Sequence, residues 1–314
     1  MMNELALVTG GTGFLGRNLV DELVRRGMSV RVLARGHHPF PQNVEGIRAE
    51  VGDRRAVREA LRDVRRVFHF ASTTTPVTAH GRSSHDIESN LIASVMLMEE
   101  AAAAGIERFV FASSGGTVYG PVLSAPISED HPTNPICSHG IVKLAVEKYL
   151  QMYAREGGFS STILRYANPY GPGQSSLRTQ GVVAVLMGRV IRGEEIQIWG
   201  DGSIVRDFLY IDDLVEATVV AAESPAAANE IMNIGSGFPA SIRDLVEGIE
   251  RATGSAARIR WMPARPFDVK VSLLDITRAS TTLGWQPRTR LDDGLSLTAS
   301  WLRSRVGAER ESVP

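Results

Sequence analysis

Leu5-Ala6-Leu7-Val8-Thr9-Gly10-Gly11-Thr12-Gly13-Phe14-Leu15-Gly16 opens the chain, and with the pattern that follows as far as Arg35 it decides the fold. The apolar run Leu5 to Val8 reads as a strand, and a glycine-dense turn follows it. Leu15, Leu19, Val20, Leu23 and Val24 then recur at helical spacing, and Gly27 stands where a helix commonly ends in a left-handed residue. Val30 to Leu33 is a second apolar run, so the unit reads strand, turn, helix, strand. Gly10, Gly13 and Gly16 leave no Cβ in the way of a pyrophosphate, whose charge suits free backbone N–H groups and the positive end of a helix dipole. A dinucleotide is the expected occupant.

Working outward, the alternation continues. A short strand near Ile47 to Val51 leads through Gly52-Asp53 into a helix over Val57 and Leu61. Val67 to Phe70 is a strand ending in Ala71-Ser72, Ile87 to Ala104 a long helix, and Arg108 to Ala112 a strand. Beyond a proline-rich loop come a helix from Ser138 to Arg155 and a strand from Thr162 to Tyr166. Strands and helices alternating at this length predict an α/β fold with a doubly wound parallel sheet and right-handed crossovers. After Asn168 the helices (182 to 191, 212 to 222, 242 to 251) and short strands (196 to 199, 231 to 234) are separated by longer loops. We divide the chain into a dinucleotide-binding domain over 1–168 and, over 169–314, mainly a substrate lobe with some segments returning to the first domain. A ligand is expected beyond the carboxyl ends of the strands.

Composition narrows the partners. The chain has 314 residues and a net charge of −1 from 34 basic and 35 acidic residues, so nothing in its balance favours nucleic acid or an anionic membrane. No apolar run approaches the roughly 20 residues of a membrane span. The N-terminus enters a strand without a signal-peptide pattern, which reads as a cytoplasmic protein. The single cysteine, Cys137, excludes an internal disulfide framework and a cysteine-cluster metal site.

Three later segments fall where strands end on the cofactor side: Ser113-Ser114-Gly115-Gly116-Thr117-Val118-Tyr119-Gly120, Ser138-His139-Gly140-Ile141-Val142-Lys143, and Asn168-Pro169-Tyr170-Gly171-Pro172-Gly173. His139 and Lys143 stand four apart and share a helix face. With the glycine turn, Asp53 after the third strand and Gly200-Asp201-Gly202-Ser203 leading to Arg206-Asp207-Phe208, this order resembles the extended short-chain dehydrogenase/reductases. It is most similar there to the nucleotide-sugar epimerases, dehydratases and 4-ketoreductases, and the resemblance runs from about Leu5 to Trp285.

The resemblance implies a Rossmann-type sheet with a smaller, partly interleaved C-terminal lobe. It sets Gly10, Gly13, Phe14, Leu15, Gly16, Asp53, Ala71 and Lys143 against the cofactor, with Asp53 at the adenine and Lys143 at the nicotinamide ribose. It sets Asn168, Arg206 and Arg265 against the diphosphate of a nucleotide sugar, where a planar guanidinium matches paired phosphate oxygens. Ser114 would hydrogen-bond the reacting oxygen; because Gly115-Gly116 lengthens the turn, Thr117 is the alternative. Relatives pair their equivalents of the two long helices across a dimer, so a homodimer is implied. In the first helix Leu91, Val95 and Met98 stand alongside Ile92 and Met96, apolar on more than one face.

Two departures from the family pattern bear on reaction type. The family's catalytic tyrosine belongs four residues before the lysine, and here that position is His139. An imidazole can serve as acid or base, since its ordinary pKa of about 6.5 lies near neutrality. At the end of the second strand, where NAD sites usually place an acid, stand Ala34-Arg35, with His37 and His38 close behind; an arginine suits the 2′-phosphate of NADP. Taken together these predict NADP(H), with NAD as the alternative, and an NADPH-dependent 4-ketoreductase acting on a nucleotide-linked 4-keto-6-deoxyhexose. His139, as imidazolium or through a water, would protonate the forming alkoxide. The alternative is an NAD-dependent nucleotide-sugar 4-epimerase; a third reading is a non-catalytic dinucleotide-binding sensor.

Overall fold

In the computed structural model, which describes residues 4–36, 40–177, 181–264 and 269–311, the opening stretch forms β1 (Leu5–Thr9), α1 (Phe14–Arg25) and β2 (Ser29–Ala34). Then come β3 (Val44–Arg48), α2 (Arg54–Ala60), β4 (Val64–His69), α3 (Ser83–Asp86), a π-helical stretch (Ile87–Ile92), α4 (Ala93–Ala104), β5 (Arg108–Ser114), α5 (Ser138–Arg155) and β6 (Ser160–Tyr166). The second part of the chain supplies β7 (Asn168–Tyr170), α6 (Val182–Arg192), β8 (Glu195–Trp199), β9 (Val205–Tyr210), α7 (Ile211–Glu223), β10 (Glu230–Ile234), β11 (Pro239–Ser241) and α8 (Ile242–Thr253). It ends with β12 (Arg258–Met262), β13 (Val271–Ser272), α9 (Thr277–Leu283) and α10 (Leu291–Glu311).

Seven parallel strands form the main sheet in the order β10-β6-β5-β4-β1-β2-β3. The Rossmann-type α/β fold expected from the alternation is therefore present. From β1 the chain winds outward through β2 and β3, then returns to the other side of β1 for β4, β5 and β6. That reversal opens a crevice at the carboxyl ends of β1 and β4, the default ligand position in such sheets.

Both faces of the sheet are covered, and side-chain alternation along the strands feeds both cores. On β5, Val110 and Ala112 join one apolar cluster with Leu19, Val20 and Leu23 of α1, while Phe109 and Phe111 join the other with Leu97, Met98 and Ala101 of α4 and Leu150 of α5. All but Ala112 of these are at most 1% exposed, and burying each larger apolar side chain contributes about 1.5–3 kcal/mol. In the second part of the chain, β7 and β13 run parallel to β9, β11 pairs with β9 antiparallel, and β8 pairs with β12. The strand β10 returns to the main sheet beside β6.

The third strand spans Val44–Arg48 rather than 47 to 51, because the chain turns at Glu50, whose carbonyl accepts from the Asp53 N–H. The fourth begins at Val64 and ends at His69, one residue before Phe70. The helix expected as one piece over 87 to 104 is broken by the π-helical stretch. Asp86 at the end of α3, Asn90 within the stretch and Ser94 at the start of α4 form a buried polar stripe, at 0%, 9% and 3% exposure, which apolar periodicity does not register. The strand β9 and the long helix α10 had no counterpart among the predicted elements. Among the described residues no helix is long and apolar enough to cross a membrane.

Candidate active site

The glycine turn is built by close approach. Gly10 has φ +73°, and a Cβ on it would lie 2.7 Å from the Ala71 backbone nitrogen. A Cβ on Gly16 would lie 2.3 Å from the Gly10 carbonyl oxygen, so only glycine lets α1 sit this close to β1. Helix α1 starts from Gly13 with no side-chain cap and no acidic residue in its first turn. The N–H groups of Phe14, Leu15 and Gly16 lie in that turn, where a helix has no carbonyl of its own to receive them. Such a cradle fits a dinucleotide pyrophosphate. Asn18 ties it to the Asn168 segment by donating from Nδ2 to the carbonyl oxygens of Phe14 and Pro172.

At the rim of the crevice, Arg35 and Arg48 are exposed at the ends of β2 and β3, and Arg48 Nε donates to the Arg35 carbonyl, 3.2 Å. Asp53 is exposed and caps α2, its Oδ1 accepting from the N–H groups of Arg55 and Ala56. His37, His38 and Arg265 lie outside the described residues.

His139 and Lys143 do come together, one helical turn apart on α5. They line one small cavity with Ala71, Asp86, Asn90 and Phe111. A Cβ on Gly140 would lie 2.5 Å from the Thr117 carbonyl oxygen, so the missing side chain lets the 113–120 turn pack onto the start of α5 beside His139. Within that turn the half-buried Ser114 gives its carbonyl to Thr117 N–H and Val118 N–H, and among the described residues the buried Thr117 hydroxyl has no hydrogen-bond partner. Lys143 Nζ donates to the Ala112 carbonyl, 2.7 Å, and sits 4.6 Å from the centre of the Phe111 ring. Asn168 Nδ2 donates to the Asp207 carbonyl, and Arg206 donates to the carbonyls of Val205 and Val269. The β7–β9 pairing sets Asn168 beside Phe208, two residues from Arg206.

Burial, reinforced by the charge of Lys143 and opposed by Asp86, pushes the His139 pKa down to about 4. Near neutrality this favours the neutral imidazole, which can accept a proton, over the imidazolium form. Burial also pushes Lys143 down to about 8, against the pull of Glu147 and Asp86. His69, bonded to Thr9 and Ser94, is pushed to about 3, again chiefly by burial.

Both histidines are held neutral in the fold, whereas in the unfolded chain they protonate near 6.5. The unfolded chain then binds more protons, so stability falls as pH drops from about 6.5 toward about 4. From pH 6.5 to 4.5 the expected loss is roughly 2–3 kcal/mol per histidine, read from urea midpoints, and His139→Phe should remove about half of the combined effect.

Two groups of buried polar residues escaped the sequence reading. Asp86 accepts from Thr74 Oγ1, Asn90 Nδ2 and Ser138 Oγ at 2.7, 2.8 and 2.7 Å. The only signal was Asp86 preceding Asn90 by four residues. Glu147, four residues after Lys143, forms a bidentate pair with Arg165 at 3.0 and 2.6 Å, and Arg165 also donates to Tyr119 Oη. Burial alone would lower the Arg165 pKa, but the bonds and charge of Glu147 hold it above its ordinary value. Glu147→Leu would strand a guanidinium that is 3% exposed, and the expected cost is about 3–5 kcal/mol in chemical denaturation at pH 7.

Comparison with known proteins agrees with this geometry. Residues 6–235 match the model of the NAD dependent epimerase/dehydratase family. The chain is similar to the UDP-glucose 4-epimerase of Thermotoga maritima, solved with UDP-glucose: TM-score 0.92 and 36% identity, covering 96% of this chain and 99% of that one. It is similar to the UDP-glucose 4-epimerase of Thermus thermophilus, solved with NAD: TM-score 0.89 and 32% identity, covering 95% and 99%. It also shares 32% identity over 310 residues with a dTDP-4-dehydro-6-deoxyglucose reductase of Escherichia coli, covering 95% of this chain and 98% of the relative. From the glycine cradle, the switch-point crevice and these matches, the chain belongs to the NAD dependent epimerase/dehydratase family.

Proposed function

We propose that the protein is a nucleotide-sugar 4-epimerase working with a retained NAD. One observation carries this reading over the reductase expected from sequence: nearly the whole chain matches 4-epimerases solved with UDP-glucose and with NAD, at 36% and 32% identity. The burial of His139, which favours its neutral form, agrees with it. A ketoreductase must deliver a proton to a forming alkoxide, and a neutral imidazole is a poor acid. An epimerase first needs a group that accepts the proton of the sugar 4-hydroxyl, and later returns the same proton.

When bound, NAD would supply the hydride acceptor for the first half-reaction and the donor for the second. Within this reading Gly10, Gly13 and the first turn of α1, including Phe14 and Leu15, hold the pyrophosphate beside Ala71. Asp53 stands at the adenine end, and Lys143 holds the nicotinamide ribose. Asn168, Arg206 and Arg265 bind the sugar diphosphate. His139 takes the hydroxyl proton, while the unpartnered Thr117 hydroxyl supports Thr117, with Ser114, as the group steadying the reacting oxygen. The exposed Ile92, Ile141, Tyr149 and Met152 on the surface near and along α4 and α5 support a homodimer, which sedimentation at micromolar concentration would reveal.

A second reading, the NADPH-dependent 4-ketoreductase of a 4-keto-6-deoxy nucleotide sugar, is favoured by Arg35, with Arg48 beside it, at the rim where a 2′-phosphate would lie. On that reading Arg35→Asp weakens NADPH by at least about tenfold and leaves NADH within about twofold. Equal effects on the two nucleotides, in direct titration, would contradict phosphate pairing.

A further inference from the structure

Asp86 is an unusual charge to bury. It is 0% exposed, and its bonded partners are two hydroxyls and an amide. Burial works to raise its pKa, but those three bonds and the nearby His139 outweigh that and hold it below the ordinary carboxylate value. Among the described residues no cation lies within ion-pair distance of it. A buried carboxylate with no partnered cation is costly. A fold keeps one where the charge is used.

The cavity that Asp86 lines holds two groups able to carry positive charge, His139 and Lys143. Ser138, which donates to Asp86 Oδ2, directly precedes His139. Asp86 also closes α3 immediately before the π-helical stretch, and such stretches occur frequently at functional sites. Its geometry is over-determined: Thr74 reaches it from the loop after β4, Asn90 from the π stretch and Ser138 from α5.

We infer that Asp86 is the charge partner of His139, the positioning residue that makes a histidine workable at the place where related enzymes use a tyrosine. The inference rests on the reading of His139 as proton acceptor. When the sugar O4–H bond breaks, the proton moves to the imidazole and the hydride leaves C4 for the dinucleotide. His139 then becomes an imidazolium next to Lys143, a like charge that opposes it. Asp86 remains a carboxylate throughout and offsets that repulsion. Among the described residues the charged groups acting on His139 are Lys143 from its own helix and Asp86 from α3; Glu147 acts one step removed, on Lys143.

The sign of the effect gives the test. A tyrosine in the same place works through its phenolate, which a neighbouring carboxylate would destabilise. Asp86→Asn in the native chain should lower kcat about tenfold with KM within about twofold. It should also move the acid limb of kcat/KM to lower pH by about one pH unit. In a His139→Tyr background the same Asp86→Asn change should raise kcat. A purely structural role would lower kcat in both backgrounds, and that result, or an Asp86→Asn enzyme within about threefold of the native one, would overturn the inference.

Thr74→Val removes one hydroxyl donor and keeps the charge, so it serves where Asp86→Asn damages the fold. It should keep the native acid limb, and a shift matching that of Asp86→Asn would overturn the inference. An NMR titration of the His139 imidazole reads the pair without turnover. The native imidazole should protonate within the folded pH range, and in Asp86→Asn only at distinctly lower pH. An unchanged titration defeats the Asp86 assignment even in an active epimerase. A shifted titration in a protein that interconverts no sugar keeps the pair and defeats the epimerase reading.

Discussion

His139→Ala is expected to lower kcat about a thousandfold, in the middle of the range for loss of a positioned proton acceptor, while dinucleotide and nucleotide-sugar binding stay within about threefold. The reason is geometric. His139 lies beside the 113–120 turn and Lys143, in the cavity at the carboxyl end of β4 and β5, and burial keeps its imidazole neutral and ready to accept. His139→Phe fills the same space with no nitrogen, so it should lose as much activity with less disturbance of packing. Full activity in His139→Phe would remove His139 from the chemistry. Steady-state kinetics together with calorimetric binding of the nucleotide sugar separate the two outcomes.

Gly16→Val is the second large effect, and it acts on binding. A Cβ at Gly16 would stand 2.3 Å from the Gly10 oxygen and 2.9 Å from Gly11 Cα, so α1 must move away from β1 and the first-turn N–H groups leave the pyrophosphate position. With both neighbouring atoms in the backbone, there is no flexible side-chain end to give way. Dinucleotide affinity should fall at least about a hundredfold, read by equilibrium binding or by the nucleotide content of purified protein. Gly27→Ala is the contrast. Gly27 has φ +80° but nothing within 4 Å of a Cβ, so the change costs about 1 kcal/mol of stability and should leave nucleotide binding intact.

The parts of this architecture that were legible in the sequence were those written in periodicity and in glycine. Strand–turn–helix–strand at Leu5 to Ala34 follows from apolar spacing, and α5 runs over Ser138 to Arg155 as its pattern predicts. What escaped was polar and buried. Asp86, Asn90 and Ser94 follow helical spacing but carry no apolar signature, so the stripe and its π turn were invisible until the partners from Thr74 and Ser138 closed on them.

His139 shows the limit from the other side. Its position next to Lys143 was plain from spacing, but its protonation state was not, because that depends on burial and on Lys143 and Asp86 acting together. That electrostatic detail suits a group that first accepts a proton. Arg35 was legible as a cation without a neighbouring acid, and its exposed place at the end of β2, with Arg48 bonded to its carbonyl, keeps the phosphorylated cofactor as a defined alternative.

The most direct test of the epimerase reading is to mix freshly purified protein with UDP-glucose, adding no nucleotide cofactor, and to follow the sugar C4 configuration by proton NMR. A 4-epimer should appear and the mixture settle at equilibrium, with NAD released when the protein is denatured. A sugar that stays unchanged, in protein that instead consumes NADPH stoichiometrically with a 4-keto-6-deoxy nucleotide sugar, would contradict it.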